Sequence, residues 1–132
     1  MRGNQIIKED YILLNFSADS KKDVIEKLIE PLLKEKIILD KNKFINDVYE
    51  RENMGSTFAG DYLAIPHGNS NFIVRPVILV AKLNNEIIWD DQRNLVKLIV
   101  LFGIPENSEN NVGLEVLKKV AASLGDIEMV MD

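Results

Sequence analysis

The sequence predicts an α/β fold: a single-domain sandwich in which a mixed β-sheet is covered by α-helices. Three observations lead there. Val77-Ile78-Leu79-Val80-Ala81 and Leu98-Ile99-Val100-Leu101-Phe102 are unbroken apolar runs of strand length, as expected of strands buried on both faces. Helical periodicity appears on either side of these runs. Helical and strand patterns follow one another within 132 residues, the size of one compact domain spanning 1–132.

Each element follows from local chemistry. Tyr11-Ile12-Leu13-Leu14 starts a short strand. From Ser20, apolar residues at Val24, Ile25, Leu28, Ile29, Leu32 and Leu33 share one helical face, with Ser20 and Asp23 as an N-terminal cap. Pro31 lacks an N–H and is expected to kink or end that helix. A second helix is expected from Lys41 to about Arg51, capped by Asp40 and packing Phe44, Ile45, Val48 and Tyr49. Gly55 to Asp61 is turn chemistry, and Leu63-Ala64-Ile65-Pro66 reads as a short strand with His67 at its end. Asn84-Asn85 reads as a turn into a further short strand, Ile87-Ile88-Trp89. After a loop from Pro105 to Asn111, a third helix is expected from Val112 to Leu124, stopped by Gly125.

Composition excludes several functions. With no cysteine there is no disulfide framework, thiol catalysis or Cys-based zinc site. With 21 acidic and 16 basic side chains, the net charge of −5 does not suit a nucleic-acid partner. Lys21-Lys22 and Lys118-Lys119 read as solvated helix edges. No apolar run approaches the ~18 residues of a membrane span, and the N-terminus lacks the apolar core of a secretory signal. The expected location is cytoplasmic, without membrane insertion. One histidine and scattered carboxylates make no metal ligand set, and no glycine pattern suits a nucleotide phosphate loop, so neither metal nor cofactor is expected.

His67 is the sole histidine, between Pro66 and Gly68. By position alone it also suits a loop histidine without chemistry. A neutral imidazole offers a nitrogen lone pair to a phosphoryl group, and such transfer asks mainly for positioning and for donors to the phosphoryl oxygens. Arg51, Ser56, Thr57, Gly68, Asn69 and Ser70 offer such donors. Arg51 is equally readable as a surface residue paired with Glu50 or Glu52, and Ser56 and Thr57 as turn caps. A hydrolase using Ser56 or Ser70 with His67 lacks a nucleophile elbow and an acidic partner.

Arg51-Glu52, Ser56-Thr57 and Leu63-Ala64-Ile65-Pro66-His67-Gly68, followed by Arg75-Pro76-Val77-Ile78, Ile87-Ile88-Trp89 and Leu98 to Pro105, form a recognisable series. It resembles the mannitol/fructose-type (type-2) enzyme IIA family of the bacterial phosphoenolpyruvate-dependent sugar phosphotransferase system. The likeness continues through Leu114, Leu117, Val120, Ala121, Leu124 and Asp126. It implies that His67 takes a phosphoryl group on Nε2 from phosphorylated HPr and gives it to a cysteine of an enzyme IIB domain. It also implies Arg51 and Thr57 as active-site partners. Many members carry a second histidine where this chain has Gly113, with free N–H groups near Asn110 and Asn111 as a partial substitute. The chain stops at Asp132, short of the family's usual length, so a truncated C-terminal helix is expected. The alternative implied function is a regulatory IIA-like domain of a transcriptional activator or antiterminator, with regulator domains in place of IIB.

Overall fold

The computed structural model describes residues 11–106. The expected helix at 112–124, Gly113, Lys118-Lys119 and the C-terminal end lie outside the described residues. Within them, six strands form one mixed sheet and three helices accompany it. The α/β class expected from the sequence is the one observed.

Strand β1 (Ile12–Phe16) runs parallel to β5 (Val77–Ile88), and β5 is antiparallel to β6 (Leu95–Pro105). Alternation along β5 and β6 divides the core. Val77, Leu79, Ala81, Ile99 and Leu101 join the helices on one face, while Ile78, Val80, Val100 and Phe102 form a second buried cluster on the other. Burial on both faces is why these runs read as unbroken apolar sequence.

Helix α1 (Lys21–Leu28) begins at Ser20, whose hydroxyl accepts from the Asp23 N–H. Helix α2 (Glu30–Lys34) starts one residue after α1 ends, with Pro31 in its first turn, where the missing N–H goes unused. Pro31 thus ends one helix and starts another. Helix α3 (Lys41–Met54) is capped by Asp40 and runs three residues past the expected end.

Two expectations need correction. Asn84-Asn85 is not a turn, because β5 passes straight through it with a register shift between Lys82 and Ile87. The Asn84 amide donates to the Asn15 carbonyl and the Ser17 hydroxyl, tying β5 to the end of β1. The reversal comes later, where the Asp90 carboxylate accepts from the backbone of Gln92 and Asn94.

His67, secondly, does not end a strand. Strands β2 (Phe58–Gly60) and β3 (Leu63–Ala64) form a hairpin whose two-residue turn, Asp61-Tyr62, has positive φ at both positions. Strand β3 then pairs in parallel with Leu98-Ile99, and β4 (His67–Ser70) pairs with Phe102 to Pro105 at the same sequence offset. Between them Pro66 has no N–H to give the ladder, while its carbonyl accepts from Phe102. His67 is therefore the first residue of a resumed strand.

Candidate functional site

The approach of α3 to β4 rests on an absence of side chain. Gly68 and Gly103 are register partners. A Cβ built on Gly68 would lie 2.4 Å from Cζ of Phe44 and 3.2 Å from Cγ2 of Val48. The Phe44 ring, fully buried, occupies that space and contributes about 1.5–3 kcal/mol by leaving water. This close contact brings the last turns of α3 alongside His67.

Arg51, Met54, His67, Gly68, Asn69 and Phe102 line a cavity of about 350 Å³, with Asp47, Glu50 and Glu106 also in its wall. The imidazole packs on Phe102 with ring centroids 4.0 Å apart and planes tilted by 53°. Its Nδ1 is buried and makes no hydrogen bond. That leaves Nε2 as the nitrogen a visiting group can reach.

Burial lowers the pKa of His67 below its usual 6.5, and the Arg51 cation lowers it further. The Ile65 carbonyl and the Glu52 carboxylate oppose this by favouring the charged ring. Nδ1 remains unpaired, so the Ile65 carbonyl acts on the ring as a nearby dipole. The result is an imidazole kept neutral near pH 7.

Arg51 pairs with neither Glu50 nor Glu52. Its Nη1 donates to the Gly55 carbonyl at 2.8 Å, turning the guanidinium back over the end of its own helix. A guanidinium carries five N–H donors, so this bond leaves others for a ligand of the cavity that Arg51 lines.

Of the remaining candidates, Gly68 and Asn69 line the cavity, and Ser56, Thr57 and Ser70 do not. The Ser56 hydroxyl donates to Asp90 at 2.6 Å. Ser70 is buried, and its hydroxyl accepts from the Phe72 N–H. The Thr57 hydroxyl is bound to Glu52, whose carboxylate also accepts from the Thr57 N–H at 3.4 Å, Trp89 Nε1 at 3.2 Å and Lys21 Nζ at 2.9 Å.

Sequence reasoning missed two members of this second cluster. Lys21 is not a solvated helix edge. Its side chain is 17% exposed and its ammonium sits 4.9 Å from the Trp89 ring centroid. Glu52 figured as an ion-pair option for Arg51 and as its neighbour in the family signature, yet it lies on a different face of α3 from the one along the His67 cavity. A second cavity of about 600 Å³, lined by Lys21, Tyr49, Glu52, Ser56 and Trp89, lies on the Glu52 face. It is larger but is not lined by the sole histidine, which belongs to the other cavity.

Among the described residues no cluster of His, Cys, Asp or Glu could hold a metal ion, and no helix is long and apolar enough to cross a membrane.

Fold and site together define an α/β domain whose cavity sets one imidazole beside one guanidinium. Residues 5–132 match the family model "Phosphoenolpyruvate-dependent sugar phosphotransferase system, EIIA 2", and the chain belongs to that family. It is 30% identical to the mannitol-specific phosphotransferase enzyme IIA component of Geobacillus stearothermophilus, over 95% of this chain and 83% of that one. It is also 30% identical to the PTS system 2-O-alpha-mannosyl-D-glycerate-specific EIIABC component of Escherichia coli K12, over 91% of this chain but only 18% of that longer protein. Among solved structures, the nitrogen regulatory protein IIA-Ntr of Neisseria meningitidis superposes with a TM-score of 0.73 at 27% identity, covering 91% of this chain and 82% of that one.

Proposed function

We propose that this domain, acting in the cytoplasm, accepts a phosphoryl group on His67 from phosphorylated HPr and passes it to an enzyme IIB domain. The observation that carries the reading is the pairing of His67, sealed at Nδ1, with Arg51 in one cavity. In the neutral ring with its proton on Nδ1, Nε2 holds the lone pair. That lone pair forms the new N–P bond as the donor's N–P bond breaks, and the electron pair of the broken bond returns to the donor histidine. The ring is then an imidazolium, and the Ile65 carbonyl and Glu52 carboxylate both favour that charge. Arg51 faces the phosphoryl oxygens. In the second step a IIB thiolate takes the group, and the bond electrons return to Nε2.

Both relatives described above are by name substrate-specific components, one of a PTS system and one a phosphotransferase enzyme IIA, which favours a carrier over a regulatory use of the same fold. The test is incubation with phosphoenolpyruvate, enzyme I and HPr, followed by intact-mass measurement. A single acid-labile, base-stable phosphoryl group is expected, absent from His67→Ala. Label persisting in His67→Ala, or no label on the folded wild type, would refute the reading.

A further inference from the structure

Glu52 does not line the cavity around His67, yet its carboxylate accepts four hydrogen bonds. Its side chain is 2% exposed. An ionised carboxylate only accepts hydrogen bonds, and this one is supplied by Lys21 of α1, by Trp89 beyond β5 and by two groups of Thr57. A buried anion satisfied from three separate segments has one low-energy position.

That position bears on Arg51 through five residues of chain. Glu52 ends at one side of a short turn and Thr57 at the other, so the carboxylate closes the turn like a clasp. Inside it, the Gly55 N–H donates to the Glu52 carbonyl at 3.1 Å, and the Gly55 carbonyl receives Arg51 Nη1. Packing does not hold Gly55, since a Cβ placed there would meet nothing within 4 Å. Its neighbour Ser56 is exposed and anchored outward to Asp90. Hydrogen bonds alone fix the carbonyl on which the guanidinium rests.

We propose that Glu52 is a positioning residue for the transfer at His67: by clasping Thr57 it fixes the Gly55 carbonyl and so seats Arg51 in the cavity. The inference rests on the phosphocarrier reading above. Lys21 and Trp89 serve the same purpose one step further out, by holding the carboxylate in place. The family's threonine then contributes through Glu52 and not through direct contact with the phosphoryl group.

Coupling between the two residues distinguishes this role from general stabilisation. Single-turnover transfer from phosphorylated HPr to His67 is measured for wild type, Glu52→Gln, Arg51→Ala and the double variant. Glu52→Gln keeps the shape but removes the charge that Lys21 and Thr57 bind. The expected result is about a tenfold slowing by Glu52→Gln in the wild-type background and less than about twofold with Arg51→Ala, as for residues acting in series. Equal slowing in both backgrounds, or a folded Glu52→Gln that transfers at the wild-type rate, would overturn the proposal while leaving His67 as acceptor. Wild type that takes no label would overturn both. If Glu52→Gln does not fold, Lys21→Met loosens the carboxylate from outside. It is expected to slow transfer in the same direction, with the effect again vanishing beside Arg51→Ala; a persistent effect there would count against the inference.

Discussion

The ring of Phe44 on α3 lies where a side chain at position 68 would have to go, 2.4 Å from the Cβ that Gly68 lacks. This one contact sets how near α3 comes to β4, and with it the spacing between Arg51 and His67.

Gly68→Ala should therefore affect both stability and chemistry. The added methyl drives Phe44 and Val48 away in a tightly packed core, at a cost of about 1–3 kcal/mol. Because α3 moves, transfer to His67 should slow in the variant even at temperatures where it is fully folded. Thermal melting and single-turnover transfer, run on the same preparation, check the two effects. An unchanged melt would mean that the Phe44 contact is softer than the geometry indicates.

The titration of His67 should lie below 6.5 and respond to its neighbours with opposite signs. Arg51 lowers it and Glu52 raises it, so Arg51→Ala should move the midpoint up and Glu52→Gln should move it down. Proton NMR of the imidazole C2–H across pH follows this directly, since no other histidine contributes. A midpoint that ignores Arg51→Ala would place the guanidinium away from the ring.

The same shift fixes a pH dependence of stability. The folded pKa is depressed, so between that value and about 6.5 the unfolded chain binds more protons than the native one. Stability falls as pH drops through this window, and His67 contributes no slope above it. Urea titrations of wild type and His67→Gln should diverge from about pH 6.5 downward, with wild type losing stability faster. Parallel curves would contradict the buried environment of Nδ1.

Arg51→Lys keeps the charge but loses the fork. Lysine cannot hold the Gly55 carbonyl and face a phosphoryl group at once with the same planar geometry. Transfer should slow by about tenfold, with the melting temperature little changed because Arg51 is only partly buried. A wild-type rate would reduce Arg51 to a bystander.

Trp89→Phe keeps an aromatic ring under the Lys21 ammonium but removes the Nε1 donor from Glu52. A buried carboxylate left one donor short should cost about 1.5–3 kcal/mol. Chemical denaturation monitored by circular dichroism measures it. A cost below about 0.5 kcal/mol would indicate that Lys21 and Thr57 satisfy Glu52 without the indole.

Local signals carried what the sequence by itself determined. Ser20 and Asp40 cap helices because their side chains reach N–H groups three residues on, and Pro31 breaks a helix through a bond it cannot make. The apolar runs at 77–81 and 98–102 became the central strands because burial on both faces leaves no polar position to alternate with. The Pro66-His67-Gly68 string marked the site for a similar reason, since each residue's own chemistry limits what it can be used for. Tertiary structure alone decided the partners. Thr57 and Ser56 are adjacent and both carry hydroxyls, yet one faces inward to Glu52 and the other outward to Asp90. Arg51 and Glu52 are neighbours of opposite charge, yet they line different cavities. Lys21 and Trp89 reach Glu52 from 31 and 37 residues away. No local pattern encodes such choices, because a side chain's best partner depends on which groups burial has already stripped of water, and only the assembled core decides that.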